Sequence, residues 1–493
     1  MPPTASAARR VEGLDLARAV AILAMVLINF QVFLLGRPDE QLSEIAWRWL
    51  VHVPSGRSSS LFVTLAGAGI ALMARSPDRR AVRWTLLKRA LFLLVAGNLL
   101  ILVWYIDILH FYAFFLAIAA LVFLDFTDRQ LLGAAAAIAA FAALLGVAFE
   151  WPEHDYWSVP GMALDVFVEG IHPVLPWIAF VCVGLWVGRQ DLADPGTRRR
   201  IALGAGLLAV GTELGSAALM ALSVEHDWPT AIIDGAGTDW SPEPLYVVGA
   251  SSTAVLAITA CVEVVSRWGT RFWVRALVAT GQLSFTIYLW HALVGVGIPR
   301  WAMGLEDALP WRPVTIWWAV FCALTVLGAW AYRRRFRRGP VEWVMRKLCG
   351  TSPPGAVVAS RRPKRAPPAW PWAFVVLGAL GVLAIKIVGL AHPTIECTEQ
   401  GTLTGRATGE LTLSCPRRSW TLEVPEAREV TLETHSGLDV MIELWGATKR
   451  IAVDDDSGAY LNARLVRTLR PGTYRVVVRP YDRSLGPFAL EVD

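Results

Sequence analysis

The chain has 493 residues, 55% of them hydrophobic and 18% charged, with a mean hydropathy of +0.46. A soluble chain of this length carries about a quarter charged residues, so a soluble globular protein is excluded. The net charge of +5 does not point to nucleic acid, because the basic residues fall in alternate loops between apolar runs, the pattern that orients a membrane protein.

Arg9 and Arg10 precede an apolar run, as in a signal peptide. That run carries Asp15 and Arg18, lacks a small-x-small cleavage site and reads as a retained first helix. Further apolar runs follow, and crossings are expected at 14–35, 58–75, 84–104, 106–124, 131–149, 171–188, 201–222, 245–266, 277–298, 313–332 and 372–391. Each is near the roughly 20 residues that cross a hydrocarbon core. Many of the 23 tryptophans stand at the edges of these runs, among them Trp104, Trp151, Trp301 and Trp372, where indole rings favour the membrane boundary.

Charge sets the orientation. Arg75, Arg79, Arg80, Arg83, Lys88 and Arg89 fall in one loop region, Arg198–Arg200, Arg267, Arg271 and Arg275 in later ones, and Arg333–Arg338 in the most basic. Stretch 150–172 holds no Lys or Arg, and carries Glu150, Glu153, Asp155, Asp165 and Glu169. A cytoplasmic N-terminus and eleven crossings put every basic loop on one side and the C-terminus outside. The expected fold is an all-α polytopic membrane bundle of about eleven transmembrane helices plus a C-terminal antiparallel β-sandwich, in the inner or plasma membrane. Residues 1–333 would form the main membrane domain, 334–370 a basic cytoplasmic linker, poorly ordered or surface-bound, 371–392 the last crossing, and 393–493 the extracytoplasmic sandwich.

The tail alternates apolar and polar residues in "WTLEVPE", "EVTLETH", "VMIELWG" and "TYRVVVRPY", with turn signals between, which predicts an antiparallel sandwich. Cys397 and Cys415 are an isolated pair on the oxidising side and are expected to form a disulfide. Asp454–Asp456 could ligate calcium, but a solvated turn is the simpler reading, and no metal is expected. The stretch from "LDVMIELWG" through "FALEV" resembles the bacterial pre-peptidase C-terminal domain, a secreted accessory module.

Ionisable and polar groups inside a membrane are expensive and are candidate functional groups by default. Asp15 and Arg18 are three apart on one helix face, and an ion pair is their simplest role. Asn29, near the outer end of the same span, could be helix-packing glue or could orient a substrate group. His52 precedes the second span, where a neutral imidazole could take a proton from a nucleophile. The run Gly56, Arg57, Ser58, Ser59, Ser60 suits an anionic or hydroxylated group. Asp107 and His110 are three apart at the start of the fourth span, either a pair lining a cavity or a structural hydrogen bond. His172 opens the sixth span and His291 lies in the outer third of the ninth, whereas His154 and His226 read as solvated loop residues. There is no HExxH, CxxC, Walker loop or GxSxG to support zinc, nucleotide or serine-hydrolase chemistry.

Four segments in order, "RVEGLDLARAVAILAMVLINF", "GRSSSLFVTLAGAGIALM" with a preceding His, "HPVLPWIAFVCVGLWVGR" and "GQLSFTIYLWHAL", resemble the heparan-α-glucosaminide N-acetyltransferase-like membrane acyltransferases and related bacterial proteins of unknown function. The resemblance implies that acetyl-CoA, or another acyl-CoA, is the donor, and that an extracytoplasmic glycan accepts the acyl group. It implies that Asn29 and His52 form the catalytic centre, with His52 as base or transient acyl carrier and Asn29 bonding the thioester carbonyl. It places Arg18, Arg83 and Arg89 where they could meet the CoA phosphates. Ala19 stands where the family usually has Gly, and the loop from Asn29 to His52 is long, so His291, or Asp107 with His110, is the alternate base.

The function expected is therefore a transmembrane acyltransferase acting on an amino or hydroxyl group of a cell-envelope glycan. The rival readings are a transporter or flippase for a lipid-linked or small polar substrate, and a membrane anchor for the sandwich. The partners expected are the lipid bilayer and the glycan, with a homo-oligomer left open and no nucleic acid.

Overall fold

The computed structural model describes residues 11–34, 54–101, 107–148, 159–226, 244–299, 311–350, 400–411 and 417–493, with short gaps at 439, 447–449, 456, 459–461 and 481–485. His52, Cys397, Cys415, residues 351–370 of the linker and the expected last crossing lie outside the described residues.

The N-terminal part is helical. In chain order it comprises α1 (Glu12–Leu34), α2 (Arg57–Met73), α3 (Arg79–Ile101), α4 (Leu109–Leu121), α5 (Asp128–Ala148), α6 (Val159–Leu164), α7 (Val174–Arg189), α8 (Pro195–His226) and α9 (Pro244–Trp268). Then come α10 (Phe272–Gly281), α11 (Ser284–Trp290), α12 (Trp311–Arg335) and α13 (Pro340–Cys349). Two π-helical turns, Asp165–Glu169 and His291–Val296, extend α6 and α11. Among the described residues six helices are long and apolar enough to cross a membrane, or eight if each of two bent pairs is one span. The other apolar helices, α2 and α4, are shorter, at 17 and 13 residues.

Burial divides the long helices into an inner and an outer set. The apolar window of α1 is 72% buried and that of α9 61%, against 17% for both α8 and α12. The outer helices show Leu203, Leu207, Leu214, Ile316 and Leu324 to their surroundings, as lipid-facing helices do. Without a hydrophobic force between helices in lipid, close backbone approach through small residues holds such a bundle together. At the α2–α7 contact, a Cβ on Gly184 would stand 2.0 Å from the Thr64 carbonyl oxygen, and one on Gly67 2.4 Å from that of Val181. Likewise a Cβ on Gly281 would lie 1.6 Å from the Asp15 carbonyl oxygen, so α10 and α1 touch backbone to backbone.

Polar latches close one end. Arg189, the last residue of α7, donates to the Phe126 and Leu124 carbonyls and to Asp128, fastening the α4–α5 turn. Arg198 on α8 is buried and bonds Glu263 on α9. The expected crossing at 171–188 is α7; α6 and its π turn, lying in the acidic stretch 150–172 expected as an outer loop, meet it at 46° across Gly170 and Pro173. The expected crossing at 277–298 is a bent pair, in which α10 meets α11 at 74°. His226, expected in a loop, is the last residue of α8. Within the expected linker, residues 340–349 form α13, with Pro340 in its first turn and Gly350 following at φ 80. Proline opens a helix and left-handed glycine closes one, which is why a helix forms in this Arg- and Pro-rich stretch.

The C-terminal part is an antiparallel two-sheet sandwich. Its strands are β1 (Arg406–Leu411), β2 (Arg418–Val424), β3 (Arg428–His435), β4 (Val440–Trp445), β5 (Arg450–Asp454), β6 (Arg464–Leu469), β7 (Gly472–Pro480) and β8 (Gly486–Val492). One sheet runs β1-β8-β3-β6 and the other β2-β7-β4-β5. Alternation decides which side chains face inward: Trp420, Leu422 and Val424 from β2, Val430 and Leu432 from β3, and Val476 and Val478 from β7. Trp420 meets Phe488 edge-on across this core, with ring centroids 5.9 Å apart. Asp454 accepts from the Ser457 and Arg464 backbone N–H groups, so its carboxylate ties a turn.

Candidate functional site

The site begins where the ninth expected span breaks. Gln282 donates to Asp15 at 3.2 Å and accepts from Arg333 at 2.7 Å, which pins the α10–α11 joint between α1 and α12. Glu342 on α13 accepts from the backbone N–H groups of Phe285 and Thr286 and from the Thr286 hydroxyl, so it caps the start of α11. Tyr288 follows on α11, and His291 begins the π turn. Such turns cost helix regularity and occur often at functional sites.

Four candidates raised by the sequence are brought into one buried band. Asn29 Nδ2 lies 2.7 Å from His291 Nε2, and both residues are buried. The Tyr288 ring is next to that of His291, at 5.2 Å between centroids. The Tyr288 hydroxyl donates to Asp107 Oδ1 at 3.1 Å and accepts from the Ile108 backbone N–H. Asp107 Oδ2 in turn accepts from the His110 backbone N–H at 3.1 Å and faces His110 Nδ1 at 3.2 Å. On the far side of that imidazole, Nε2 is 3.9 Å from Asp165 Oδ2 on the π turn after α6. A Cβ at Gly97 on α3 would come within 2.6 Å of Asp107 Oδ2, so the missing side chain leaves room for the carboxylate. The sequence joins Asp107 to His110; the fold adds Tyr288 and Asp165 to that pair, and His291 to Asn29.

In water-poor surroundings each bond in this band counts for more, because an unpaired polar group there finds no solvent. The band can hold a proton acceptor, an imidazole, beside a carboxamide donor. Those are the two groups an acyl transfer needs at its carbonyl.

The three arginines expected to meet the donor are placed differently. Arg18 pairs with Asp15 at 2.6 Å, and one of its guanidinium nitrogens is 3.7 Å from the Cβ position of Gly69 on α2. Arg89 bonds the Met73 sulfur one turn further along the same helix. Its Nε is buried with no hydrogen-bond partner among the described residues. Arg83 is engaged elsewhere, donating to the Ala120 carbonyl and to Asp125 at the α4–α5 turn. Arg18 and Arg89 therefore flank α2, and Arg83 belongs to a structural latch. Arg57, read as an anion-binding residue, pairs with Glu213 at 2.7 Å, and the Ser60 hydroxyl bonds its carbonyl. His172 packs its ring against Trp177 at 4.5 Å, inside the bundle.

Sequence reasoning missed Tyr288 and Gln282. The available signal was position, since Tyr288 precedes His291 by three residues and so shares its helix face.

Residues 10–220 match the family described as "Heparan-alpha-glucosaminide N-acetyltransferase, catalytic", and residues 188–351 match "Protein of unknown function (DUF418)". Three of the four segments that carry the resemblance lie within the match to the first family, and the fourth, at 281–293, lies within the second match. No curated protein matches the chain. Among solved structures, the pre-peptidase C-terminal domain of collagenase from Bacillus anthracis is similar at 19% identity and a TM-score of 0.18, over 20% of this chain and 99% of that one.

Proposed function

We propose that the chain is a transmembrane acyltransferase, which takes an acyl group, acetyl in the first instance, from acyl-CoA and delivers it across the bilayer to an amino or hydroxyl group of a glycan. The observation that carries this reading is the buried contact of Asn29 with His291, at 2.7 Å. The match of residues 10–220 to an N-acetyltransferase catalytic region supports the reaction class, and acetyl-CoA is the donor proposed from that likeness.

His291 takes the proton from the acceptor nitrogen or oxygen as that atom attacks the thioester carbonyl. Asn29 turns its N–H from the imidazole to the oxygen that becomes negative in the tetrahedral intermediate. Collapse of the intermediate breaks the carbon–sulfur bond, and the leaving thiolate receives the proton held by the imidazole. Tyr288, through Asp107 and Ile108, fixes the helix that carries His291. His52 remains the second candidate base, and the variants below separate the two. Arg18 and Arg89, along α2, are the cations suited to the donor phosphates. Arg18 precedes Asn29 by eleven residues on α1, or roughly 16 Å of helix. A donor with an extended arm can bridge that distance.

Acetyl-CoA binding by the purified protein in detergent, measured by calorimetry, tests the donor, and transfer of labelled acetyl to glucosamine-containing acceptors tests the chemistry. Binding that survives His291→Ala and His52→Ala but weakens in Arg18→Ala is the expected result. Whichever histidine variant alone abolishes transfer identifies the base. Absence of binding by acetyl-CoA and by longer acyl-CoAs would overturn the reading in favour of a transporter.

A further inference from the structure

We propose that the elbow between α12 and α13 is a binding site for an anionic phospholipid, with the exposed face of α13 lying in the headgroup layer. The inference is independent of the acyltransferase reading.

The elbow is cut by a groove of about 530 Å³ lined by Tyr332, Phe336, Arg337, Arg338, Pro340 and Trp343. Its floor is aromatic, with the Tyr332 and Phe336 rings stacked at 4.7 Å, and its rim carries two exposed guanidinium groups. That combination matches a phosphate with an acyl-glycerol body beneath it.

α13 itself has two unlike faces. Glu342 and Cys349 point inward, one capping α11 and the other buried near Arg89 on α3. Trp343, Val344 and Leu348 point outward, and Leu348 is 66% exposed. Arg346 and Lys347 stand beside them, with the Lys347 ammonium over the Trp343 ring at 5.1 Å. A short helix with an apolar outer face, an indole and flanking cations is built to lie in a membrane interface.

Position and charge select the occupant. α12 is one of the helices long and apolar enough to cross the bilayer, and α13 begins only five residues after it ends, so the elbow sits at the membrane surface. From residue 333 to 350 the chain carries seven basic residues and one acid, Glu342, whose oxygens are taken up by α11. Arg337 and Arg338 stand exposed at the groove, and the surface of an anionic bilayer complements that positive rim. The site also touches the candidate active site through Arg333 to Gln282 and Glu342 to Thr286, at the start of the helix that carries His291.

The test is quenching of Trp343 fluorescence in nanodiscs of the whole protein. The Trp343 signal is the difference between wild type and Trp343→Phe. Brominated phosphatidylglycerol is compared with brominated phosphatidylcholine at equal mole fraction. Two arginines at an anionic surface, at about 1 kcal/mol each, predict a preference for the glycerol lipid of roughly thirtyfold at the elbow. The Arg337→Gln/Arg338→Gln variant should still be quenched but without that preference. Equal quenching by the two lipids in wild type, no Trp343-dependent quenching by either, or a preference that persists in the double variant would each overturn the site.

Discussion

Asn29 and His291 are 262 residues apart in the chain and 2.7 Å apart at Nδ2 and Nε2. With the amide donating, Nε2 is the acceptor, so the neutral imidazole carries its proton on Nδ1. That tautomer leaves the basic nitrogen facing α1. It is held in place by backbone-to-backbone contact at Gly281 and by the Gln282 bonds to Asp15 and Arg333.

Asn29→Ala should remove the donor for the developing oxyanion and the partner of His291 together. Transfer should fall by about a hundredfold or more, while stability falls by only about 1 kcal/mol, the usual size of an interhelical hydrogen bond in lipid. Transfer rate and thermal melting in detergent, measured on one preparation, separate the two effects. A fully active Asn29→Ala would remove the residue from the chemistry.

Tyr288→Phe takes away one donor to Asp107 and the acceptor of the Ile108 N–H, and keeps the ring against His291. Leaving a buried carboxylate and a backbone N–H short of a partner costs about 1–3 kcal/mol. Melting should therefore drop further than in Asn29→Ala, and transfer should fall less. The reverse order would make Tyr288 part of the reacting centre and Asn29 part of the scaffold.

The chemistry-bearing positions were readable because polar residues inside apolar runs stand out: Asn29, Asp107, His110 and His291 were each visible. Their grouping was not, since it depends on helix packing and on joints that hydropathy does not register. The run across residues 277–298 holds Gly281, Gln282 and Ser284 at the 74° break, but its mean hydropathy is that of a continuous span and does not register the bend. α13 was hidden for the opposite reason, as its arginines and prolines read as linker while its spacing of Glu342, Met345 and Cys349 is helical. Length was a coarser guide than expected: the last of the eleven expected crossings lies outside the described residues, and among the described residues six to eight helices are long and apolar enough to cross, α2 and α4 being shorter. The sandwich was legible from alternation at Trp420, Leu422 and Val424, but the pairing of β1 with β8 joins the ends of the domain and has no local signal.

Acid should loosen the start of α8. Asp194 caps that helix, its carboxylate accepting the Thr197 backbone N–H at 2.7 Å, and this bond holds its pKa below the usual carboxylate value. A depressed folded-state pKa gives stabilisation that is present above the unfolded-state value and lost as pH falls through the folded one. Asp194→Ala should thus melt lower than wild type at neutral pH, and the gap should close as pH drops below the ordinary carboxylate range. A gap that stays constant with pH would mean that the carboxylate charge has no part in the cap.

Glycine at the α2–α7 contact should be indispensable where glycine on the lipid-facing helix is not. A Cβ at Gly184 meets the Thr64 carbonyl at 2.0 Å, and backbone on both sides cannot yield, so Gly184→Ala must push the helices apart. Overpacking of this kind costs about 1–3 kcal/mol, and the displaced helices are those that support the buried band. Gly204 on α8 has nothing within 4 Å of its Cβ position, so Gly204→Ala gains about 0.5–1 kcal/mol of helix propensity and loses no packing. Thermal melting of the two variants in one detergent should move in opposite directions. Equal shifts would mean that small-residue packing does not hold α2 against α7, and that the contact is set by the surrounding apolar side chains instead.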